Sequence, residues 1–451
     1  MKGERTFFGF GLGPIQTGLF LYESQRGDRF SRWVAADIDA ELVEAVRTNG
    51  GTVSINVAGE DGVRRATIER VEALNPTVAA DRERLVSALA EASDIATALP
   101  SARIYSTGGD GSVAGLLASA ISAAPNAPRV VYAAENNNRA AEILDRELRK
   151  RGAPLDRTQI ANTVIGKMSG VVADADTLNR LGLTPLTPEL TRAVLVEEFN
   201  RIQISALRDT GLPRAFPQFE EKPDLLPFEE AKLYGHNAVH ALLGYLAWRR
   251  GHTVMSDVRN DPELLEIGRR AFLEEARPAV LAANPGLSDP LFTPEGFRQY
   301  AEDLLERMVC PTLYDRVCRV IRDPARKLAP DDRLVGTMRR ALQAGVQPTR
   351  FAMAVRCALD FLYAHAEHVE SLPVPPPKTV ERECPREPPS DDGSDVRGAR
   401  PPGGEAGWSA DAVRAALRNV WGEARLPDAE EAAIVELVAQ AQPSPTGLPR
   451  S

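Results

Sequence analysis

Cysteine is scarce. Four thiols, Cys310, Cys318, Cys357 and Cys384, lie scattered through the C-terminal half, none in Cys-x-x-Cys spacing. That speaks against a stapling disulfide framework and a thiolate zinc site, and it suggests a reducing, cytoplasmic compartment. Positive charge is in deficit too, with 54 Lys and Arg against 63 Asp and Glu, a net charge of −9. Phosphate backbones select for basic faces, so nucleic acid is not the expected partner, and an anionic ligand needs a local basic pocket. No apolar run reaches the roughly 18 residues of a spanning helix, so no membrane partner is expected. The stretch Phe7 to Phe20 lacks signal-peptide texture, because Glu4 precedes it and glycines at 9, 11, 13 and 18 break it.

What remains is an ordinary globular composition, 43% hydrophobic and 26% charged. A chain of 451 residues exceeds what one core usually organises, so about two or three units are expected. Short apolar runs at Arg5 to Phe10, Trp33 to Ile38, Asp94 to Leu99 and Arg129 to Ala134 alternate with amphipathic segments such as Ala80 to Glu91 and Arg139 to Lys150. Such alternation predicts an α/β unit over residues 1–186, with a parallel sheet covered on both faces. From Thr187 the texture changes. Leu190 to Leu207, Glu229 to Arg250, Pro262 to Glu275, Thr293 to Met308 and Asp331 to Leu342 read as helices of a second domain over 187–371.

Prolines at 373, 375, 376 and 377 and later Gly- and Ser-rich stretches mark 372–407 as a disordered linker. Residues 408–451 read as a helical hairpin, Ser409 to Val420 and Asp428 to Gln440, with Asp428 and Glu431 spaced as a capping box. So small a unit is expected to dock on the main body or on a protein partner.

Gly11-Leu12-Gly13-Pro14-Ile15-Gln16 follows the first strand and precedes a helix, where a dinucleotide fingerprint belongs, although Gln16 stands where the third glycine is expected. Gly11 and Gly13 would let the chain turn tightly and let a pyrophosphate approach the helix N-terminus. Pro14 suits a first helical turn. Asp37 closes the next strand, where a carboxylate accepts from an adenosine ribose and repels the extra phosphate of NADP, so NAD is the expected cofactor. A ligand-free glycine turn, and Asp37 as a helix N-cap, explain the same residues.

The sharpest signal is Lys232-Leu233-Tyr234-Gly235-His236-Asn237-Ala238-Val239-His240, which runs into an apolar helix through Trp248. Polar groups at the start of a buried helix need a reason. Asn237 and His240 are helical neighbours, and Lys232 lies in the same broad sector, so all three can face one cleft. Oxidising an alcohol requires a base for the hydroxyl proton and donors for the oxygen, roles that suit Lys232 and Asn237, while His240 orients the lysine or binds a neighbouring hydroxyl. The bland alternative is a polar helix start with Lys232 in solvent.

Lys-x4-Asn-x2-His in this setting resembles the signature of the polyol-specific long-chain dehydrogenases, the mannitol dehydrogenase family, over about residues 5 to 369. Supporting it are Gly11 and Gly13, Ala36-Asp37-Ile38-Asp39, Glu135-Asn136, Val196-Glu197-Glu198-Phe199-Asn200, and Arg322-Asp323-Pro324-Ala325-Arg326-Lys327-Leu328 with Asp332-Arg333-Leu334. The last run is similar to the mannitol-1-phosphate 5-dehydrogenase branch in particular. The resemblance implies a Rossmann-type domain followed by a helical one, lysine as general base and no metal. Asn136 would join Asn237 in holding the substrate oxygen, and Arg322 would contact substrate. The chain departs from the pattern at Ile165-Gly166-Lys167-Met168, where many members carry Val-Asp-Arg-Ile.

Arg319, Arg322, Arg326, Lys327 and Arg333 form a basic cluster in an acidic protein, suited to a phosphorylated sugar. Fructose 6-phosphate and mannitol 1-phosphate are the leading pair. Ion pairing with Asp315, Asp323, Asp331 and Asp332 accounts for the same charges. Two rival functions stand beside this one: a dehydrogenase of an unphosphorylated polyol or hexuronate, and a non-catalytic NAD(H)-binding regulator that holds a partner through its C-terminal hairpin. His365 and His368 are assigned no role.

Overall fold

A computed structural model describes residues 5–59, 61–208, 211, 214–364 and 408–442. The chain forms two compact units, Met1–Glu229 and Glu230–Ser451. The expected linker over 372–407, and His365 and His368, lie outside the described residues.

Among the described residues the first unit is built on twelve strands: β1 (Thr6–Phe10), β2 (Arg32–Ala36), β3 (Val53–Gly59), β4 (Gly62–Ile68), β5 (Val71–Leu74), β6 (Ala92–Thr97), β7 (Arg129–Ala133), β8 (Thr158–Val164), β9 (Ser169–Val172), β10 (Ala193–Glu197), β11 (Gln203–Ser205) and β12 (Glu220–Lys222). Eight of them make one sheet in the order β12-β11-β8-β7-β6-β1-β2-β5. Its six strands from β8 to β5 are parallel throughout, as the short apolar runs at β1, β2 and β7 predict for strands buried on both faces. On one face the helices Ala79–Glu91, Val113–Ala123 and Ala140–Lys150 bury Leu85, Leu117, Ile121 and Leu144 against Phe8, Val34 and Ile95. The other face carries an aromatic cluster of Phe7, Phe20, Tyr132, Phe216 and Phe219, joined to a second sheet of order β4-β3-β10-β9. The arrangement is Rossmann-like.

Leu190 to Leu207, expected to be helical, forms β10 and β11 instead. Ala193-Val194-Leu195-Val196-Glu197 is buried at every position, and an apolar run that short has no periodicity to separate a buried helix from a strand. Its β-branched valines settle the matter once β3 and β9 are there to pair with it.

The second unit is helical. At its centre the Asn237–Arg249 helix is buried on nearly every side, against Val317–Ile321 and Thr349–Ala364. Gly244 makes this possible, since a Cβ there would stand 2.6 Å from Val320 Cγ1. Asp261, Thr293 and Ser409 cap their helices through backbone N–H groups three residues on.

The C-terminal hairpin is present as Ala410–Trp421 and Asp428–Gln440 and packs on Val335–Gln343 and Thr349–Ala364 of its own chain. The expected capping box does not form. Pro427 occupies the cap position, and Glu431 is buried and paired with Arg418 (2.8 Å) and Arg414 (3.5 Å). Cys310 and Cys357 are free thiols, whereas Cys318 is disulfide-bonded, contrary to the expectation from spacing. Among the described residues no helix is long and apolar enough to cross a membrane.

The missing third glycine has a structural counterpart. The Gln16 side chain is fully buried and lies over Gly9 in β1, where a Cβ would fall on its amide. Gly9 thus supplies the close helix–strand approach that a glycine at position 16 otherwise gives. Replacing Gly9 by Ala should lower stability by about 1–3 kcal/mol, the cost of overpacking a rigid core. Chemical denaturation of the full chain checks this, and an unchanged midpoint would show that Gln16 has room to move aside.

Candidate active site

The first unit carries the glycine turn in front of a helix N-terminus that the sequence marks out. Gly11 has φ +91°, a conformation that favours glycine, and its N–H donates to the Ala36 carbonyl at 2.7 Å. The helix then starts at Pro14, with the Gly13 carbonyl accepting from Thr17 N–H at 2.9 Å. Nothing lies within 4 Å of where a Gly13 Cβ would be, so the backbone at the helix N-terminus is open to an approaching anion.

Asp37 sits beside this turn. Its Oδ2 accepts from Leu12 N–H (2.7 Å) and its Oδ1 from Asp39 N–H (2.9 Å). Burial raises its pKa, and those two N–H groups oppose the rise. It is not a helix cap. Asp39 fills that place, accepting from Leu42 N–H at 3.1 Å while it pairs with Arg192 at 2.7 Å. A carboxylate offers about four acceptor positions, so Asp37 keeps capacity for a ribose hydroxyl.

Asn136 lies exposed just after β7. The residue before it, Glu135, is buried and accepts from Thr97 Oγ1 (2.9 Å), Leu99 N–H (3.0 Å) and the Tyr105 hydroxyl. Those bonds pin the end of β7 from which Asn136 projects. At the departure from the family pattern, Gly166 would bring a Cβ within 3.7 Å of the Phe199 ring, and the buried Lys167 ammonium donates to the carbonyls of Glu197 and Phe199. Lys167 therefore serves the backbone at the end of β10.

In the second unit Lys232 opens a π-helical turn, Lys232–His236, that leads into the Asn237–Arg249 helix. Asn237 N–H reaches back to the Lys232 carbonyl. On a regular α-helix residues five apart are offset by about 140°, and the wider π turn reduces that offset, bringing Lys232 and Asn237 toward one side. Such turns recur at functional sites. Lys232 and Asn237 are half-buried.

His240 Nε2 lies 3.0 Å from Asp315 Oδ2. Burial alone would raise the Asp315 pKa, but Arg319, 2.7 Å from its other oxygen, and His240 pull it down to about 2. His236, one helical turn before His240, is buried and held neutral well below the usual histidine range, first by burial and then by the neighbouring His240 and the cations Lys232, Arg307 and Arg333. Neither Asp315 nor His236 was singled out from sequence as part of the site. Asp315 stood there only as an ion-pairing partner for the basic cluster, and nothing in one dimension links it to His240.

The basic cluster divides. Arg319 is paired with Asp315 and Arg333 with Asp332 (2.7 Å), as the ion-pair alternative holds. Among the described residues no carboxylate pairs with Arg322 or Arg326, which are exposed. Lys327 is 2% exposed and donates to the Arg322 carbonyl. Burial, with Arg333 and Arg326 nearby, lowers its pKa to about 7. The close packing at Gly244 and a hydrogen bond from Tyr245 Oη to the Ile321 carbonyl (2.9 Å) hold the start of this segment against the helix that carries Asn237 and His240.

Residues 224–383 match the family model described as the mannitol dehydrogenase C-terminal domain. It is 32% identical over 170 residues to the mannitol-1-phosphate 5-dehydrogenase of Brevibacillus brevis, a match covering 38% of this chain and 42% of that one. The first curated relatives are thus spanned over about two fifths of their length. A protein of the same name from Pseudarthrobacter chlorophenolicus is 29% identical over 362 residues, 78% of this chain and 84% of the relative. In fold the chain is similar to the Pseudomonas fluorescens mannitol 2-dehydrogenase ternary complex with NAD and D-mannitol, with TM-score 0.63, 17% identity and 80% of each chain covered. A D-sorbitol dehydrogenase gives TM-score 0.64 at 14% identity, covering 80% of this chain and 81% of that one.

The buried Asp315 carboxylate carries a pH prediction. With its folded pKa near 2 and an unfolded value near 3.9, it stabilises the fold above the unfolded value. That contribution, about 2 kcal/mol, is lost as pH falls from roughly 5 through 2. Asp315→Asn should therefore flatten the acid limb of the stability curve, read as urea midpoints at stepped pH. Parallel limbs for the two proteins would show that the carboxylate gains nothing from Arg319 and His240.

Proposed function

We propose that this chain is an NAD-dependent oxidoreductase that interconverts a sugar alcohol phosphate and its ketose, with mannitol 1-phosphate and fructose 6-phosphate as the leading pair. The observation that carries this reading is Lys232, half-buried on a π turn directly before Asn237 and His240, in the same unit as the basic segment Arg322 to Arg333. The cradle at Gly11 and Gly13 fits a pyrophosphate, and Asp37 has acceptor positions left for an adenosine ribose. Its charge, with Asp39 neutralising Arg192 beside it, favours NAD over NADP.

When bound, nicotinamide supplies the hydride acceptor for the carbinol hydrogen. Lys232 takes the hydroxyl proton as the C–O bond gains double-bond character. The Asn237 amide donates to that oxygen as it becomes more negative, and Asn136 has the same role by the family resemblance. His240, held by Asp315, binds a neighbouring hydroxyl. Arg322 and Lys327 take the anionic end of the substrate through charge-assisted bonds, and a phosphate would favour the protonated form of Lys327.

An unphosphorylated polyol is the second reading, favoured by the ion pairing of Arg319 and Arg333, which leaves fewer cations for a phosphate. The regulator reading loses its motive, because Val413, Leu417, Ile434, Val435 and Val438 of the hairpin are buried within this chain.

NADH oxidation measured in parallel with fructose 6-phosphate, fructose and a hexuronate separates these readings: turnover confined to the phosphate ester supports the first, turnover confined to the free sugars the second. Lys232→Ala should lower turnover about a hundredfold or more while NADH still binds; near-normal turnover would remove the lysine from the mechanism. Asp37→Ala should weaken NAD binding and relax discrimination against NADP, read by titration of each dinucleotide. An unchanged preference would confine Asp37 to bracing the glycine turn.

A further inference from the structure

The basic segment does not stand by itself. Leu328, directly after Lys327, is fully buried, and its carbonyl accepts from Trp421 Nε1 at 2.8 Å. Trp421 ends the first helix of the C-terminal hairpin and is itself buried. A second tie comes from the other hairpin helix. Glu430 Oε1 accepts from Arg339 Nε at 2.8 Å, and the same guanidinium donates to the Pro330 carbonyl (3.2 Å) and to the Asp331 carboxylate. The segment reached in this way meets the lysine turn: Tyr234 Oη donates to the Asp331 carbonyl at 3.3 Å, and a Cβ on Gly336 would lie 2.9 Å from the Tyr234 ring.

We infer that the C-terminal hairpin is a strap that holds the Arg322 to Arg333 segment in its binding geometry, with Trp421 and Glu430 as positioning residues. The inference rests on the reading of Arg322 and Lys327 as substrate-binding groups. Its physical basis is that the segment has little regular structure of its own. One short helix, Pro324–Lys327, follows Asp323 in a left-handed conformation (φ +57°), and the Lys327 ammonium donates one N–H to the Arg322 carbonyl. A segment that short gains little from helical cooperativity, so its placement depends on what binds its carbonyls. The hairpin supplies a buried indole N–H at Leu328 and, through Arg339, a guanidinium that reaches Pro330 and Asp331.

The hairpin contains its own control. Trp408 Nε1 donates to Asp360 Oδ1 at 2.8 Å, a bond of the same kind between hairpin and body that does not touch the basic segment. Trp421→Phe and Trp408→Phe, each in the full chain, therefore remove one indole hydrogen bond apiece and keep an aromatic ring. Amide hydrogen exchange should quicken about tenfold across 322–333 in Trp421→Phe and stay at the wild-type rate there in Trp408→Phe. With fructose 6-phosphate as substrate, Trp421→Phe should raise KM about fivefold or more with kcat within twofold and NADH affinity unchanged, while Trp408→Phe changes none of these.

Exchange over 322–333 that is equal in the two variants, or unchanged in Trp421→Phe, overturns the strap. So does quickened exchange with an unchanged KM in a protein that turns over the phosphate. If the wild type binds NADH but turns over no sugar phosphate, the functional reading fails on its own, and the exchange experiment still decides whether the hairpin positions the segment.

Discussion

Much of the second unit depends on the approach of two helices at Gly244. Without a side chain there, Val320 and Ile321 press against the Asn237–Arg249 helix, and Tyr245 Oη fixes the Ile321 carbonyl. One end of that contact leads to Arg322 and the basic segment, and the other carries Asp315 up to His240. The proposed base, oxygen donor and anion site are thus referred to one buried helix, and packing forces at a single glycine set the distances among groups nearly a hundred residues apart in the chain. Because interiors are close-packed, such a contact transmits errors in position as readily as it prevents them.

Polar groups that lie close to this core are held by specific partners. Asp315 is ionised despite burial because Arg319 and His240 face its two oxygens. His236 stays neutral because burial and the cationic side chains of Lys232, Arg307 and Arg333 act in the same direction. Lys327 is poised between its two forms by burial amid arginines. Each is expensive in isolation and tolerable with these neighbours. In the first unit the same logic appears at Glu135 and at Asp37, where hydroxyl or backbone N–H groups offset the cost of a sheltered carboxylate.

Much of the architecture could be read from one dimension. The parallel strands β1, β2, β6 and β7 fall within a few residues of their apolar runs, since such runs bounded by glycine or polar residues have few other uses. The helices Pro262–Arg270 and Pro294–Met308 and the two helices of the C-terminal hairpin also lie where the sequence reads as helical. The strands β10 and β11 were not legible as strands, because Ala193 to Glu197 suits a buried helix until β3 and β9 lie beside it. Glu431 could not be told from a capping residue, because its burial against Arg418 and Arg414 arises only once the hairpin closes.

The candidate site follows the same division. Sequence alone determined the chemical inventory: a lysine, an asparagine and a histidine at the start of an apolar helix, a glycine turn before another, a carboxylate ending the second strand, and a run of arginines and lysine. These are local patterns, set by neighbours a few residues away. Tertiary structure decided how they are used: that Asp37 braces the glycine turn while Asp39 caps the helix, that Gly9 makes room for Gln16, that Asp315 turns toward His240, and that Trp421 fastens the carbonyl of Leu328. Apart from the Asp39 cap, each of these contacts joins residues separated by a fold in the chain, and their energies depend on burial and distance, which one dimension does not contain.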